Sequence, residues 1–261
     1  MDDEERLAAV GATAVVVATC RAEESRRPEG WFSDPLAEHV AKIAELTRET
    51  TPRPGLTFWV AIRTRFLDEL VADAAAQGVD QFGLLGAGLD ARAFRLAWPP
   101  GTTVFEIDRA PVLALKQRLV DELSLTPTCE RHTVVADVVS DDWPALLAAA
   151  GWRSDRPTCW IAEGLLVYLE ANARDALLSR LSAFDGRLGA TLTSAKRAAE
   201  VALFRSGTQG DPVEWLAQLG WQATITRLPE IATQYGRPIS RGAADSSSAL
   251  LVDARSRLSS A

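Results

Sequence analysis

The spacing of hydrophobic positions divides the chain near residue 79. In the first part, apolar residues recur with the period of an amphipathic helix, which predicts helices at Leu7–Ala22, Pro35–Leu46 and Thr57–Ala76. Asp34 is suited to cap the second of these helices, because a carboxylate before the first turn accepts free backbone N–H groups. We therefore expect residues 1–78 to form a helical lid that caps the substrate.

From residue 79 onward, short apolar runs of strand length alternate with helical segments. Such alternation is typical of βαβ units and of a parallel sheet. The predicted strands are Gln81–Leu85, Thr102–Ile107, His132–Ala136, Thr158–Ala162 and Leu188–Thr193, and the predicted helices between them are Leu89–Trp98, Pro111–Leu123, Trp143–Ala150 and Asn172–Phe184.

The pattern changes again at the C-terminal end. A short helix that Asp211 is placed to cap stops at Gly220, and two strands follow it, Trp221–Leu228 and Ala249–Ala254. Because no helix is predicted between these two strands, they are expected to be antiparallel. The sequence thus predicts an α/β fold with five parallel strands and a terminal antiparallel pair. This Rossmann-like domain covers residues 79–261 and carries a lid insertion at about 195–220.

The composition narrows the classes of partner. The chain has 261 residues and a net charge of −7, and a negative protein repels nucleic acid. Its three scattered cysteines and two histidines predict neither a disulfide scaffold nor a metal site. The chain starts with the acidic run MDDEE and has no apolar run of about 18–20 residues. We therefore expect a cytoplasmic protein with no membrane partner.

A glycine-rich turn directly follows the first predicted strand. Gly86, Ala87 and Gly88 stand where this strand passes into a helix, and glycine lets the backbone approach a ligand closely. Asp108 ends the second strand, about 20 residues further on, where a carboxylate can accept hydrogen bonds from both ribose hydroxyls of an adenosine. The pattern predicts a nucleoside site that suits a dinucleotide as well as S-adenosyl-L-methionine.

Two more carboxylates follow later strands. Asp137 comes after the third strand, where it can bind the exocyclic amine of an adenine or stay solvated in a loop. Glu163 interrupts an apolar run after the fourth strand, and a carboxylate there needs partners because its burial without them is unfavourable. This end of the strand faces the crevice in which α/β sheets bind ligands. Glu163 is thus predicted to meet the cationic end of S-adenosyl-L-methionine, through its ammonium or, less directly, its sulfonium.

The third predicted helix carries an arginine on its apolar face. Arg63 shares that face with Phe66 and Leu67, whereas Arg65 points elsewhere and can pair with Glu69 one turn later. A guanidinium among apolar residues calls for an anion, such as the cofactor carboxylate held by two parallel hydrogen bonds. A snorkelling side chain, or an ion pair within the protein, is the alternative.

Together these motifs resemble the leucine carboxyl methyltransferase family, and more closely its bacterial branch of S-adenosyl-L-methionine-dependent methyltransferases. The resemblance runs from about Gly11 to the C-terminal strand. It is carried by DPL at 34–36, RTRF at 63–66, LGAGLD at 85–90, FEID at 105–108 and IAEGLLVYL at 161–169.

The resemblance implies the class I methyltransferase fold, S-adenosyl-L-methionine as cofactor, and methyl transfer to a carboxylate or hydroxyl oxygen. The implied acceptors are small molecules, natural products or peptide C-termini, so that natural product biosynthesis is the expected setting. In eukaryotic members a lysine near the first helix also reaches the cofactor carboxylate, and in this chain Arg21 stands near the corresponding place. The remaining implied roles are Arg63 for that carboxylate, Gly86 for the methionine part, Asp108 for the ribose, Asp137 and Val138 for the adenine, and Glu163 for the ammonium.

The two possible acceptors differ in their need for a base. A carboxylate is ionised at pH 7, whereas a phenol or an alcohol must lose a proton. Neither His39 nor His132 is convincingly placed near the predicted site, which favours a methyl ester as the product. Tyr168 and Arg21 are predicted to orient the acceptor.

Two other functions fit part of the pattern. An NAD(P)-dependent oxidoreductase would use the same glycine turn and Asp108, and a binding protein could keep the fold without catalysis. The antiparallel end, Glu163 and Arg63 favour the methyltransferase. The sequence leaves the identity of the acceptor and the oligomeric state open.

Overall fold

Three helices come first in the computed structural model, which describes residues 12–47, 54–239 and 248–260. They are α1 (Ala12–Ser25), α2 (Pro35–Thr47) and α3 (Pro54–Ala76). Asp34 caps α2, as predicted, because its Oδ1 accepts the backbone N–H of Ala37 at 2.8 Å. The predicted start of the first helix at Leu7 lies outside the described residues.

A seven-stranded mixed sheet forms the centre of the molecule. Its strands are β1 (Gln81–Leu85), β2 (Thr103–Asp108), β3 (Glu130–Val135), β4 (Thr158–Ala162), β5 (Gly186–Thr193), β6 (Trp221–Arg227) and β7 (Ala249–Ser256). They are arranged in the order β3-β2-β1-β4-β5-β7-β6. The first five strands are parallel, and β7 pairs antiparallel with both β5 and β6. This confirms the predicted fold class.

Helices cover both faces of the sheet. They are α4 (Arg92–Arg95), α5 (Ala110–Glu122), α6 (Trp143–Ala149), α7 (Ala171–Ser182), α8 (Ala195–Glu200), α9 (Pro212–Gln218) and α10 (Leu228–Gln234). Every residue of β1, β4 and β5 is buried, as expected for parallel strands covered on both faces. No helix within the described ranges is long and apolar enough to cross a membrane.

Two predictions of secondary structure are wrong. The helix expected at Leu89–Trp98 is reduced to α4, because Asp90 Oδ1 accepts the N–H of Arg92 at 2.8 Å and the two prolines at 99–100 prevent its extension. The last two strands do have a helix between them, α10. Its first turn is stabilised by Glu230, whose side chain accepts the N–H of Arg227 at 3.1 Å.

The first two helices, α1 and α2, pack beside the turn that follows β1, whereas α3 packs against one face of the sheet through Leu67, Leu70 and Val71. Val15, Ala18 and Ala22 of α1 are buried in one cluster with α2, with Leu89 and with α5. The remaining face of α1 carries Thr13, Val17 and Arg21 at intervals of four residues, and this face lines a cavity above the sheet. The helical segment thereby closes the predicted ligand site on one side.

Candidate cofactor-binding site

A cavity of about 700 Å³ lies at the carboxyl ends of the first parallel strands. In open α/β sheets this is the edge at which ligands bind. The cavity brings together all of the residues predicted for the site. It is lined by Arg21, Arg63, Gly86, Ala87, Gly88, Asp108, Asp137, Val138, Glu163 and Tyr168.

The glycine turn after β1 shapes the floor of the cavity. Gly86 and Gly88 have φ angles of +60° and +47°, a backbone conformation that is unfavourable for residues with a Cβ. A Cβ on Gly86 would also stand 3.0 Å from Cδ1 of Leu165. The backbone conformation of this turn thus favours glycine at both positions, and a side chain at position 86 would also require Leu165 to shift.

Asp108 is held in place by backbone hydrogen bonds. Its Oδ2 accepts the N–H of Gly88 and its Oδ1 accepts the N–H of Arg109, each at 2.7 Å. An ionised carboxylate has about four acceptor positions, so both oxygens keep capacity for further donors. This fixed acceptor pair beside the cavity suits a vicinal diol.

The end of β3 supplies a polar and an apolar residue side by side. Val138 is buried, whereas Asp137 is exposed and accepts the N–H of Val139 at 2.9 Å. An apolar contact next to a carboxylate acceptor matches the chemistry of a purine ring with an exocyclic amine. This position agrees with both predicted roles of Asp137, as a ligand of the adenine amine or as a solvated carboxylate of the loop.

Glu163 lies just beyond β4 between two arginines. Arg63 Nε donates to its Oε1 at 2.9 Å, and Arg92 Nη2 lies 2.8 Å from its Oε2. Burial alone would raise the pKa of Glu163, but Arg92, Arg63 and Arg21 outweigh this effect and lower the pKa to about 2. Glu163 is therefore a permanent anion at physiological pH.

Arg63 is paired with a carboxylate of the protein, that of Glu163. Within the described residues, Nε is the only side-chain nitrogen of Arg63 that makes a hydrogen bond. Its two terminal nitrogens lie beside Gly164, 3.4 Å from the position that a Cβ of this residue would occupy. Arg63 is thus in an internal ion pair and still has N–H donors for an anion in the cavity. Arg65 points away and pairs with Glu69 at 2.8 Å, as predicted.

Arg21 is buried at the same end of the cavity. Its Nη2 donates to the carbonyl of Leu89 at 2.9 Å, and its Nε lies 3.3 Å from Oδ2 of Asp34. Its charge also lowers the pKa of both Asp90 and Glu163. The structure thus groups Arg21 with Arg63 near Glu163.

Tyr168 lines the cavity from the loop after β4. Its ring packs edge-on against Phe204, with centroids 5.6 Å apart. Burial raises the pKa of its hydroxyl, while Arg63 and a hydrogen bond with Thr13 act in the opposite direction. Tyr168 therefore spans the space between the loop after β4 and the first helix as a neutral hydroxyl.

The two histidines do not line the cavity. His39 lies 3.3 Å from Glu122, and His132 lies 2.9 Å from Glu130 on the edge strand β3. Within the ranges that the structure describes, no group of acidic, histidine and cysteine side chains could hold a metal ion.

Sequence reasoning missed the buried charges beneath the cavity. Arg92 is fully buried and contacts Asp68 and Asp90 in addition to Glu163. Arg92 and Arg95 sit three residues apart in an otherwise apolar stretch, which is the signal that could have revealed them.

The donor set fits S-adenosyl-L-methionine. The cofactor has a diol, a purine, a carboxylate and an ammonium, and the cavity offers a fixed carboxylate, an apolar contact, free guanidinium N–H groups and a buried anion. The two left-handed glycines leave room for the backbone to approach such a ligand.

Comparison with known proteins agrees with this chemistry. A protein of Streptomyces coelicolor named as an S-adenosyl-L-methionine-dependent methyltransferase is 42% identical over 254 residues, covering 88% of this chain and 89% of the relative. A protein of the same name from Streptomyces avermitilis is 42% identical over 264 residues, covering 92% of this chain and 93% of the relative.

Solved structures share the fold at low sequence identity. A DUF574-family protein from Streptomyces avermitilis has a TM-score of 0.59 at 18% identity, covering 94% of this chain and 96% of its own. A Thermobifida fusca protein named as a methyltransferase also has a TM-score of 0.59, at 19% identity, covering 93% and 94%. The family model of leucine carboxyl methyltransferases matches residues 14–182. The chain is therefore an S-adenosyl-L-methionine-dependent methyltransferase, and it belongs to the leucine carboxyl methyltransferase family.

Proposed function

We propose that the enzyme transfers the methyl group to a carboxylate oxygen of a small molecule or a peptide C-terminus and forms a methyl ester. The observation that carries this proposal is the charge state of the cavity. No histidine lines it within the described residues, and Asp90 and Glu163 are both held as anions by arginines. An acceptor that is already ionised suits such a site, because it needs no general base.

When bound, S-adenosyl-L-methionine would supply an electrophilic methyl group on a sulfonium, with a neutral thioether as the leaving group. A carboxylate oxygen could accept this methyl group without giving up a proton. With a reference pKa near ~4, an acceptor carboxylate is fully ionised at pH 7. The contribution of the protein is to align the reacting atoms and to exclude water, which can supply roughly 7–11 kcal/mol.

We assign the cofactor contacts by their chemistry. Asp108 accepts the ribose hydroxyls through the oxygen positions that its two backbone donors leave free. Arg63 holds the carboxylate with its terminal N–H groups, and Arg21 adds positive charge beside it. Glu163 accepts the ammonium. The remaining contacts are those of the glycine turn with the methionine part and of Asp137 and Val138 with the adenine.

The acceptor side is assigned to Tyr168 and to the segments around it. Its hydroxyl stays protonated, because burial raises its pKa, and it can donate a hydrogen bond to an acceptor carboxylate. Phe204 belongs to the segment at about 195–220, and Thr13 belongs to the N-terminal helical part. Both segments therefore contribute to the proposed substrate lid.

The chemical stability of the product tests the proposal. The enzyme is incubated with a donor carrying a labelled methyl group and with panels of carboxylic acids, peptides and phenols, and the labelled product is treated with mild alkali. We expect volatile labelled methanol, since an ester is hydrolysed and an ether is not. An authentic methyl ester and an authentic methyl ether are carried through as controls. A base-stable product from the best acceptor would overturn ester formation and support hydroxyl methylation instead.

A further inference from the structure

We propose that Arg92 is a positioning residue that fixes Glu163 for recognition of the cofactor ammonium. The inference rests on the proposed role of Glu163. Arg92 does not line the cavity, and its side chain is fully buried. Any effect of Arg92 on the cofactor must therefore act through another residue.

The guanidinium of Arg92 joins three carboxylates from separate parts of the chain. Its Nε donates to Oδ1 of Asp68 on α3 at 2.8 Å, and its Nη1 donates to Asp90 in the glycine turn. Its Nη2 lies 2.8 Å from Oε2 of Glu163 beyond β4. The planar fork of arginine suits this arrangement, because each of its three nitrogens meets a different carboxylate.

The other partners of Arg92 hold the fork in one orientation. Arg95 binds both oxygens of Asp68 at 2.7 Å. The backbone N–H of Arg92 donates to Oδ1 of Asp90 at 2.8 Å, and Nη2 also donates to the carbonyl of Thr64 at 3.3 Å. The guanidinium therefore has little freedom to follow Glu163 if that side chain moves.

The two oxygens of Glu163 have different surroundings. Oε2 is inaccessible to solvent and faces Arg92, whereas Oε1 accepts hydrogen bonds from Arg63 and Thr64. Arg92 thus anchors the inner oxygen. Without that anchor, Glu163 could turn both of its oxygens to the fork of Arg63, and neither oxygen would then be held toward the ammonium.

The charges around Glu163 also balance. Four arginines, Arg21, Arg63, Arg92 and Arg95, face four carboxylates, Asp34, Asp68, Asp90 and Glu163. A neutral, rigid cluster suits a zwitterionic amino acid group, since neither of its charges meets an excess of the same sign. Removing the charge of Arg92 would leave the cluster acidic and its central carboxylate unanchored.

The test uses calorimetry to measure the affinity of the enzyme for two ligands, and the ratio of the two affinities gives the discrimination between them. One ligand is S-adenosylhomocysteine, and the other is its analogue with hydrogen in place of the amino group. We expect Arg92→Lys to weaken S-adenosylhomocysteine binding tenfold or more and analogue binding less than threefold, so that the discrimination collapses. The matched control is Arg95→Lys, which alters the same cluster without a contact to Glu163 and should keep the wild-type ratio.

Two results would overturn the proposal: equal loss of both ligands in Arg92→Lys, as for a general structural defect, or retention of the wild-type ratio. If Arg92→Lys does not fold, the double variant Arg92→Met with Asp90→Asn removes one charge of each sign and is compared with Asp90→Asn alone. The variant Glu163→Gln tests separately whether Glu163 binds the ammonium. If that variant keeps the wild-type ratio, Glu163 does not bind the ammonium, and both statements fail whatever Arg92 does.

Discussion

Gly88 donates its backbone N–H to Oδ2 of Asp108 across 2.7 Å, and this hydrogen bond joins the glycine turn to the end of β2. The two sequence motifs that predict the nucleoside site are therefore in direct contact. The contact has a structural role of its own, since it fixes the carboxylate and satisfies a backbone donor in a left-handed turn.

Asp108→Ala should weaken S-adenosylhomocysteine binding by roughly tenfold to a hundredfold, because charge-assisted hydrogen bonds of this type contribute ~1.5–3 kcal/mol. Asp108→Asn should lose less, since one side-chain oxygen remains to accept from Gly88 or from the ribose. Calorimetry on the folded variants gives both values, with circular dichroism as the control for folding. Unchanged affinity in folded Asp108→Ala would show that the carboxylate serves only the turn.

Arg63 and Arg65 are two residues apart on α3 and should behave differently. Arg63→Ala should impair S-adenosylhomocysteine binding and also lower stability, because it leaves the buried Glu163 with one fewer cation. Arg65→Ala should leave the affinity unchanged. It should still lower the unfolding free energy by roughly 0.5–2 kcal/mol, because its guanidinium stacks on aromatic rings.

Arg65 stacks on the rings of Trp31 and Tyr235, whose centroids lie 4.9 Å and 3.9 Å from its guanidinium carbon. Calorimetry and denaturant unfolding of both variants separate binding from stability. If the two substitutions weakened cofactor binding equally, the argument from the helical face of Arg63 would be wrong.

Periodicity and strand-end carboxylates were sufficient to predict the parallel sheet and the location of the cavity. The Asp34 cap and the Arg65–Glu69 pair also follow from local spacing, and both are confirmed. These features depend on neighbours close in sequence. Local patterns of this kind specify which elements form and which strand ends carry polar groups.

What the sequence could not predict depends on contacts between distant segments. Arg63 and Glu163 are a hundred positions apart, so their ion pair becomes visible only when α3 lies beside β4. Arg92 was missed for the same reason, because its three carboxylates come from three separate segments. The helix α10 starts at Leu228, which the sequence pattern assigned to the end of a strand, and it has a proline in its first turn, where proline is favoured.

Tyr168→Phe should reduce kcat/KM for the acceptor by about tenfold, as expected when one hydrogen bond to a charged group is lost. The affinity for S-adenosylhomocysteine should stay within about twofold, since the ring and its contact with Phe204 are kept. Thr13→Val is the matched control, because it removes the partner of the hydroxyl and leaves Tyr168 itself intact. If both variants lost the same activity, the hydroxyl would act by holding α1 in place, and a direct role in orienting the acceptor would be excluded.

The pKa of Glu163 makes a prediction for stability at acidic pH. Burial raises this pKa, the arginines lower it by more than burial raises it, and the folded-state pKa is about 2 against an ordinary value of 4.5. For a carboxylate with a depressed pKa, the unfolded state binds the proton first. The stabilisation is therefore complete above pH 4.5 and is lost as the pH falls toward 2. Below pH 4.5 this single group should add up to about 1.4 kcal/mol per pH unit to the slope of the unfolding free energy.

Urea unfolding between pH 3.5 and about 7 should give a shallower acidic slope for Glu163→Gln than for the wild type. Asp155→Asn is the control, because Asp155 pairs with Arg153 on the surface, where solvent screens the interaction, and its removal should change the slope little. Parallel slopes for the wild type and Glu163→Gln would mean that the arginines do not hold Glu163 as an anion in the folded protein.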